Sequence, residues 1–540
     1  MLPGDDSVIP DCIPFVSIPH TTKLFSDYLT YAPEVHRFYP TAPDAGQVAS
    51  RASVVPHGSK IHAQVADALE KQNRSWGGSE STLRNIQRLR HGAHAVVTGQ
   101  QVGLFGGPAL SLFKVASVLA LAQRVERAGV ACVPVFWMAS EDHDLAEVNQ
   151  ALLLTPDFQL VSFSAHTEGK PDSPVSNVRF APGTHEMVSR AAELLGGAGA
   201  EILRDTYPDG ETFSGAYARF YTRLFARHGL VLLDPADPDL HRIATPLFVE
   251  AVERAGELDE ALLARNREIS QAGYHEQVKV TGESTPLFAL VDGARVPVHR
   301  ANGEFTIRKQ RVSLADLKLR IETAPQNFNA NVLLRPVMQD YWLPTLAYIG
   351  GPAEIAYFAQ VGVVYEKLLG RVTPILPRMS ATLLEPKIER LMNKYELRLE
   401  NLFHGETQLR QELAARSLPA ELKLDFNRGL LAVDEAMQRI SESLHGLDPT
   451  LVEASRRAAN KMRYQVGRLE KRAALAELRR QAILTRHAEQ IENSLYPRKT
   501  LQEREIAGAY FCAKYGEDLV TCLIEKAQAP CPEHKVVRLG

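Results

Sequence analysis

Residues 95–144 leave this chain few architectures. Ala95-Val96-Val97-Thr98 is a short apolar run, and Gly99-Gln100-Gln101-Val102-Gly103-Leu104-Phe105-Gly106-Gly107-Pro108 follows it as a glycine-rich loop. Residues 109–128 are apolar almost all round a helix, and Gly129 stops it. Residues 130–138 form a second apolar run of strand length, which opens into Ser140-Glu141-Asp142-His143-Asp144. Strand, loop, helix, strand is a βαβ unit, so the two strands run parallel. Both polar clusters then leave the carboxyl ends of strands, the edge at which open α/β sheets bind ligands. Packing gives no reason to set Glu-Asp-His-Asp beside a buried strand, so the clusters are read together as an active site.

The pattern returns late in the chain. Thr345-Leu346-Ala347-Tyr348-Ile349 reads as a strand, Gly350-Gly351-Pro352-Ala353-Glu354 opens a helix to Leu369, and residues 372–376 read as the next strand before Pro377-Arg378. Gly350-Gly351-Pro352-Ala353 thus repeats Gly106-Gly107-Pro108-Ala109. Glycines let the backbone turn tightly, and proline takes the first helical position, where its missing N–H costs little. The free N–H groups and the helix dipole are then expected to favour an anion.

At 540 residues the chain exceeds one simple core. The α/β core is expected over residues 1–384. Two insertions interrupt it, at about 150–215 (short strands and turns) and 270–330 (a small β unit around the hairpin signal Asp292-Gly293). Residues 59–72 read as an amphipathic helix. Beyond 385, Phe426, Leu430, Val433, Met437, Ile440 and Leu444 follow coiled-coil spacing. Asp448-Pro449 reads as an N-cap and N1 pair. The next helix runs from Thr450 towards Asn493 over roughly 60 Å, with Met462, Val466, Leu469, Ala473, Ala476 and Ile483 as its seam. This α-helical unit, 385–500, is expected to dimerise, an intramolecular hairpin being the alternative. Residues 501–540 are expected to return to the core, with 535–539 as a final strand.

The formal net charge of −3 argues against a basic nucleic-acid surface. No run reaches the ~18 apolar residues of a membrane span, and residues 1–6 show no leader pattern, so the chain reads as cytoplasmic. Five scattered cysteines without a CxxC pair suggest neither a zinc ribbon nor a disulfide framework, and the spacing of Cys531 and His534 reads as coincidence.

In the Glu-Asp-His-Asp cluster, His143 is the natural proton carrier near neutral pH, with Asp142 and Asp144 as orienting carboxylates and Glu141 as a ligand contact. The alternatives are a helix N-terminus carrying acids for the dipole, or Asp142, His143 and Asp144 as divalent-metal ligands, which one tripeptide does not define. Residues 99–101 match neither a Walker loop nor a dinucleotide fingerprint. Gln100 and Gln101 offer amides to a sugar or carboxylate, or else only decorate a turn. Arg335 clamps a carboxylate or forms a structural ion pair, and Glu354 either contacts ligand or compensates its helix dipole.

Thr98-Gly99-Gln100-Gln101, Gly107-Pro108, Val135-Phe136-Trp137, Glu141-Asp142-His143-Asp144, Leu334-Arg335-Pro336, residues 350–357 (Gly-Gly-Pro-Ala-Glu-Ile-Ala-Tyr) and Pro377-Arg378 together resemble the bacillithiol biosynthesis cysteine-adding enzymes, the BshC family of cysteine ligases. The resemblance runs over essentially the whole chain, in order. Family members often carry Gly where this chain has Ser140 and a larger residue where it has Gly106. The resemblance implies a Rossmann-like parallel-sheet core with connecting-peptide insertions and a coiled coil that makes a homodimer. It implies a ligase joining cysteine to the amino-sugar glucosaminyl malate by an amide bond, the last step of bacillithiol synthesis. The carboxylate is a poor electrophile, so ATP is the implied co-substrate, with no metal assigned. The core is similar to that of class I aminoacyl-tRNA synthetases, and Arg378-Met379-Ser380 is similar to their mobile Lys-Met-Ser loop. Thr98, Gly99, Gln100, Gln101, Gly106, Gly107, Glu141, Arg335, Gly350, Gly351, Glu354 and Arg378 are the implied substrate contacts. His143, Asp142 and Asp144 are the implied catalytic groups, His143 or a neighbouring carboxylate taking the amine proton. A metal-dependent hydrolase and a non-catalytic coiled-coil scaffold are the alternatives.

Overall fold

A computed structural model describes residues 11–170, 172–301, 303–480, 482–529 and 531–540. The reading of residues 1–6 lies outside them. Five parallel strands make the central sheet: β1 (His94–Gln101), β2 (Cys132–Ala139), β3 (Val231–Leu233), β4 (Thr345–Gly350) and β5 (Ile375–Pro377), in the order β5-β4-β1-β2-β3. Helices α1 (Leu110–Arg127), α2 (Pro238–Glu253) and α3 (Pro352–Leu369) follow β1, β3 and β4. The apolar runs that predicted β1 and β2 are buried along nearly their whole length. From β1 the chain moves to one side, to β2 and β3, whereas from β4 it moves to the other, to β5. The β1–β4 boundary is therefore a topological switch point, and a crevice opens at the carboxyl ends of these two strands.

The helix expected over residues 59–72 is present as Lys60–Ser75, with the Ser59 side chain accepting the His62 N–H. The first insertion holds the strand pairs Gln150–Leu154 with Leu160–Ser164 and Thr167–Glu168 with Arg179–Phe180. It also holds two helices, Thr184–Leu195 and Gly197–Thr206, where only strands and turns were expected. Met187, Val188, Ala191 and Ala192 bury one face of the first of these, a helical spacing hidden by the surrounding glycines. The second insertion is an antiparallel sheet. Leu287–Val291 and Ala294–Ala301 are joined by Asp292 (φ 56°) and Gly293 (φ 87°), the positive-φ pair that a two-residue hairpin demands.

Helices α4 (Ala420–Leu447) and α5 (Leu451–Arg480) form an antiparallel hairpin, turned at Asp448, whose carboxylate accepts the Thr450 N–H at 2.9 Å. The Arg463 guanidinium meets Asp434 across it. Met437 is buried in this hairpin as expected, but the buried residues of α5 include the small Ser455 and Ala459, and Ala474, which packs with Ala414 and Leu418. The expected seam residues Met462, Leu469 and Ile483 stay 47, 60 and 55% exposed. Small side chains let the two helices approach closely, and this selects a face adjacent to the one the bulky residues mark.

The strand His534–Arg538 returns to the core as expected, with Val536 and Val537 buried in it, but it lies outside the central sheet. It pairs parallel with Ala381–Leu384 and antiparallel with Cys12–Ile13 in a separate three-stranded sheet. That sheet brings Cys12 and Cys531 into a disulfide across 519 residues, a pairing that local spacing did not suggest. His534 is held between the Ser380 and Thr382 hydroxyls at 2.8 Å each, so Cys531 and His534 share no ligand. Among the described residues no helix is long and apolar enough to cross a membrane.

Candidate active site at the switch point

A cavity of about 1010 Å³ opens at the carboxyl ends of β1, β2 and β4, and the antiparallel insertion supplies Phe288 and Arg295 to its wall. Gly99 lets the strands converge there: a Cβ at this position would lie 3.2 Å from the Tyr348 hydroxyl and 3.3 Å from Trp137 Cβ. The two clusters read from the sequence do meet. Gln101 Nε2 donates to Asp142 Oδ2 and to Glu147 Oε2, both at 3.0 Å. Gly99, Gln100, Gln101, Gly107, Glu141, Asp142, Arg335, Gly351, Glu354 and Arg378 all line the cavity.

Several expected residues do not reach it. Thr98 is fully buried and its hydroxyl donates to Ile349 O at 2.8 Å, tying β1 to β4. Gly106 lies behind the loop. Its N–H donates to the Tyr207 hydroxyl, the Tyr221 hydroxyl donates to its carbonyl, and a Cβ would meet the Phe220 ring at 2.5 Å. Gly350 packs on Ile375 and borders a second, smaller cavity. Asp144 caps the short helix Leu145–Val148 by accepting the Glu147 N–H at 3.2 Å, the dipole alternative raised above. His143 sits half-exposed beside the cavity, its Nδ1 3.5 Å from Asp142 Oδ1 and 3.5 Å from Arg295 Nη1. Among the described residues no group of three or more His, Cys, Asp or Glu is placed to hold a metal ion, so Asp142, His143 and Asp144 do not converge as ligands.

Two buried ion pairs frame the crevice. The Lys114 ammonium, in the apolar stretch 110–122 of α1, reaches Glu354 Oε2 and Gly99 O at 2.5 Å each. Glu354 also accepts the Tyr348 hydroxyl at 2.5 Å and the Gly351 N–H at 2.7 Å. Burial would raise the Glu354 pKa, but the Lys114 charge and the Gly351 N–H hold it below the usual value. The expected anion at the N-terminus of α3 is therefore the chain's own. Arg378 is likewise engaged, by a bidentate pair with buried Glu503 at 2.6 and 3.1 Å; Ser380 Oγ and the Ala381 N–H complete that carboxylate. Arg335 differs, because its guanidinium donates to neutral groups, Gln339 Oε1 at 3.3 Å and the Tyr357 hydroxyl at 3.2 Å, and lies over the rings of Trp137 and Tyr348.

The acidic end of the cavity is built by residues the sequence reading missed. Glu141 Oε1 accepts from His241 Nε2 at 2.8 Å and from Asn329 Nδ2 at 2.6 Å. His241 lies on α2 and Asn329 on the strand Phe328–Ala330. Burial would lower the His241 pKa, but the hydrogen bond and charge of Glu141 outweigh it and the pKa is raised. Asp234, at the end of β3, takes the Ser140 hydroxyl and a backbone N–H from Ala236, and burial pushes its carboxyl up to about 6. Arg295, stacked on Phe288 with its carbon 3.9 Å from the ring centroid, stands 3.7 Å from Asp142. Lys114 carried a usable signal as the one charged residue in the apolar stretch 110–122. His241 and Asn329 carried none, since each makes its contact through an element far away in sequence.

The chain matches two family models in tandem, "Bacillithiol biosynthesis BshC, N-terminal Rossmann-like domain" over residues 12–379 and "Bacillithiol biosynthesis BshC, C-terminal coiled-coil domain" over residues 381–539. A protein of Koribacter versatilis is 52% identical over 98% of this chain and 100% of its own length. One of Solibacter usitatus is 36% identical over 97% and 99%, and one of Salinibacter ruber 32% identical over 95% and 96%. All three are described as "Putative cysteine ligase BshC".

Proposed function

The chain belongs to the BshC family of bacillithiol biosynthesis, and from that premise we propose that it joins cysteine to glucosaminyl malate by an amide bond in the switch-point cavity. The observation that carries the reading is the cavity's division of charge. Arg335, hydrogen-bonded to neutral partners, is the cation suited to a carboxylate or phosphate. Glu141 and Asp142 form the acidic end. Amide formation needs both: a carboxylate to hold and activate, and an amine to bind and deprotonate. Gln100 faces the cavity and suits a sugar hydroxyl or carboxylate oxygen.

A free carboxylate reacts poorly with an amine, and ATP bound beside Arg335 would supply the activation, the carboxylate oxygen leaving with its phosphate or AMP. The residues fit an anionic co-substrate at Arg335, while the N-terminus of α3 is already filled by Glu354. The amine's proton goes to Asp142 or to His143 beside it. Incubation with cysteine and glucosaminyl malate, with and without ATP, followed by mass spectrometry, tests the reading. The expected product is the two substrates less one water, formed only with ATP. Product without ATP overturns the activation step, and no product under either condition overturns the reaction. If His143 carries the proton, His143→Ala lowers turnover by about 10²–10⁴; unchanged turnover leaves Asp142.

The second copy of the chain is assigned to the helical hairpin. Leu424, Leu431, Met462 and Leu469 remain largely exposed after α4 and α5 have packed. A two-fold interface is the commonest way to cover such surface. The expected species in sedimentation is a dimer, broken by Leu431→Glu with Leu469→Glu while the core stays folded; a wild-type monomer at micromolar concentration would refute it.

A further inference from the structure

The buried carboxylates around the crevice are not treated alike. Glu503 has both oxygens occupied, by Arg378, Ser380 and the Ala381 N–H. Glu354 has both occupied, by Tyr348, Lys114 and the Gly351 N–H. Glu141 has one oxygen doubly occupied, Oε1, by His241 and Asn329. Among the described residues its Oε2 takes no hydrogen bond within the protein, and it is not among the sealed, unpartnered polar atoms. Since Glu141 lines the cavity, Oε2 is the oxygen turned towards it.

The support behind Glu141 is specific. His241 is 2% exposed and its two ring nitrogens face two acceptors, Glu141 Oε1 at 2.8 Å and Pro325 O at 3.1 Å. Two acceptors call for two N–H groups, the protonated ring that the raised His241 pKa favours. Asn329, 3% exposed, donates from the inserted sheet at the same oxygen. A carboxylate needed only for packing would be satisfied at both oxygens, because an unmet buried acceptor costs about 1–3 kcal/mol. Here three elements (β2, α2 and the insertion) fix one oxygen and leave the other open to the cavity.

We propose that Glu141 Oε2 is the receptor for a substrate's primary ammonium group, and that His241 and Asn329 are the positioning residues that aim it. The inference rests on the ligase reading for the identity of the substrates, both of which carry a primary amine: the cysteine α-amine and the glucosamine amine. The ammonium hydrogen-bonds to Oε2, adding a direct partner to the charge that His241 and the nearby Arg295 offset in the free protein. His241 touches no substrate; it acts by holding Glu141 oriented.

The test is calorimetric binding to the full chain, so it does not depend on turnover. The probes are cysteine and its amine-free analogue 3-mercaptopropionate, then glucosaminyl malate and its amine-free analogue glucosyl malate. Glu141→Gln keeps the shape and removes the charge. It is expected to weaken one amine ligand by about ten- to a hundredfold and leave the matching amine-free analogue unchanged. The pair that responds identifies which amine is bound. His241→Gln, which retains a donor, is expected to lose less affinity for that amine than His241→Ala, with the analogue again unaffected; where His241→Ala does not fold, Glu141→Gln and His241→Gln carry the comparison. Equal losses for amine and amine-free ligands, or no loss for either amine in folded Glu141→Gln, overturn the proposal, as does a wild-type chain that binds neither amine. An amine-specific loss in Glu141→Gln, together with a wild-type chain that makes no amide in the mass-spectrometric assay, overturns the ligase reading instead.

Discussion

Gly106-Gly107-Pro108-Ala109 and Gly350-Gly351-Pro352-Ala353 are the same four residues before the same kind of apolar helix, yet they do different work. In the first, both glycines have positive φ (79° and 69°), a conformation that side chains resist. In the second, Gly350 is the last residue of β4 and Gly351 has an ordinary φ of −88°; the strand runs directly into α3. Two residues past the proline, α3 carries Glu354 and α1 carries Leu110. The first loop thus needs glycine for its backbone, and the second owes its behaviour to the acid beyond it. The copies are also complementary, since α1 contributes Lys114 to the Glu354 of α3 and the pair closes the switch point.

That contrast can be tested at each residue. The largest effect is expected from Glu354→Ala, which leaves the Lys114 ammonium buried without its carboxylate and the Gly351 N–H uncapped: about 3–5 kcal/mol by urea denaturation. Adding Lys114→Met should return part of that loss, and strict additivity would mean the two helices are not coupled. Gly106→Ala comes next, at about 2–4 kcal/mol, from the positive φ and the clash with Phe220.

The pH dependence sharpens the comparison further. Because the Glu354 pKa is held down in the folded state, its contribution is present above the ordinary Glu value of about 4.3 and is lost as pH falls through the folded value. The stability gap between wild type and Glu354→Gln should therefore narrow in acid; a gap constant from pH 7 to pH 3 would show that the carboxylate's charge is not what matters. The smallest effect is expected from Gly351→Ala, within about 0.5 kcal/mol, because a Cβ there meets nothing closer than 3.4 Å. A loss as large as that of Gly106→Ala would erase the distinction between the loops.

What could be read beforehand follows a physical division. Features set by neighbours in sequence were legible: the βαβ unit at 94–139, the helix beginning near Ser59, the Asp292-Gly293 turn and the Asp448 corner. Features set by packing between distant segments were not. The α4–α5 seam depends on how closely two helices approach, so small residues displaced the bulky ones that periodicity marks. The candidate site divides the same way. Gln101 and Asp142 were found because each follows its own strand, and Arg378 was given to ligand because nothing in its vicinity names Glu503 as a partner 125 residues on. His241 and Asn329 act on Glu141 through other elements, and no local pattern points from one to the other.

The glycine loop after β1 leans on chain that is made much later. Pro108 forms a bridge with Ala507, the Ala109 N–H donates to Ile506 O at 2.8 Å, and the Gly508 N–H donates to Gly107 O at 2.8 Å. On the ribosome, at about 5–20 residues per second, the loop waits roughly 20–80 s for this strut. Once residue 377 has been made the sheet can form, but until the strut arrives one wall of the crevice has no backing. A chain released directly after residue 505 would keep the polar side chains of the pocket and still lack the support that shapes it, so ligand binding should separate full-length protein from that terminated product more sharply than secondary structure does.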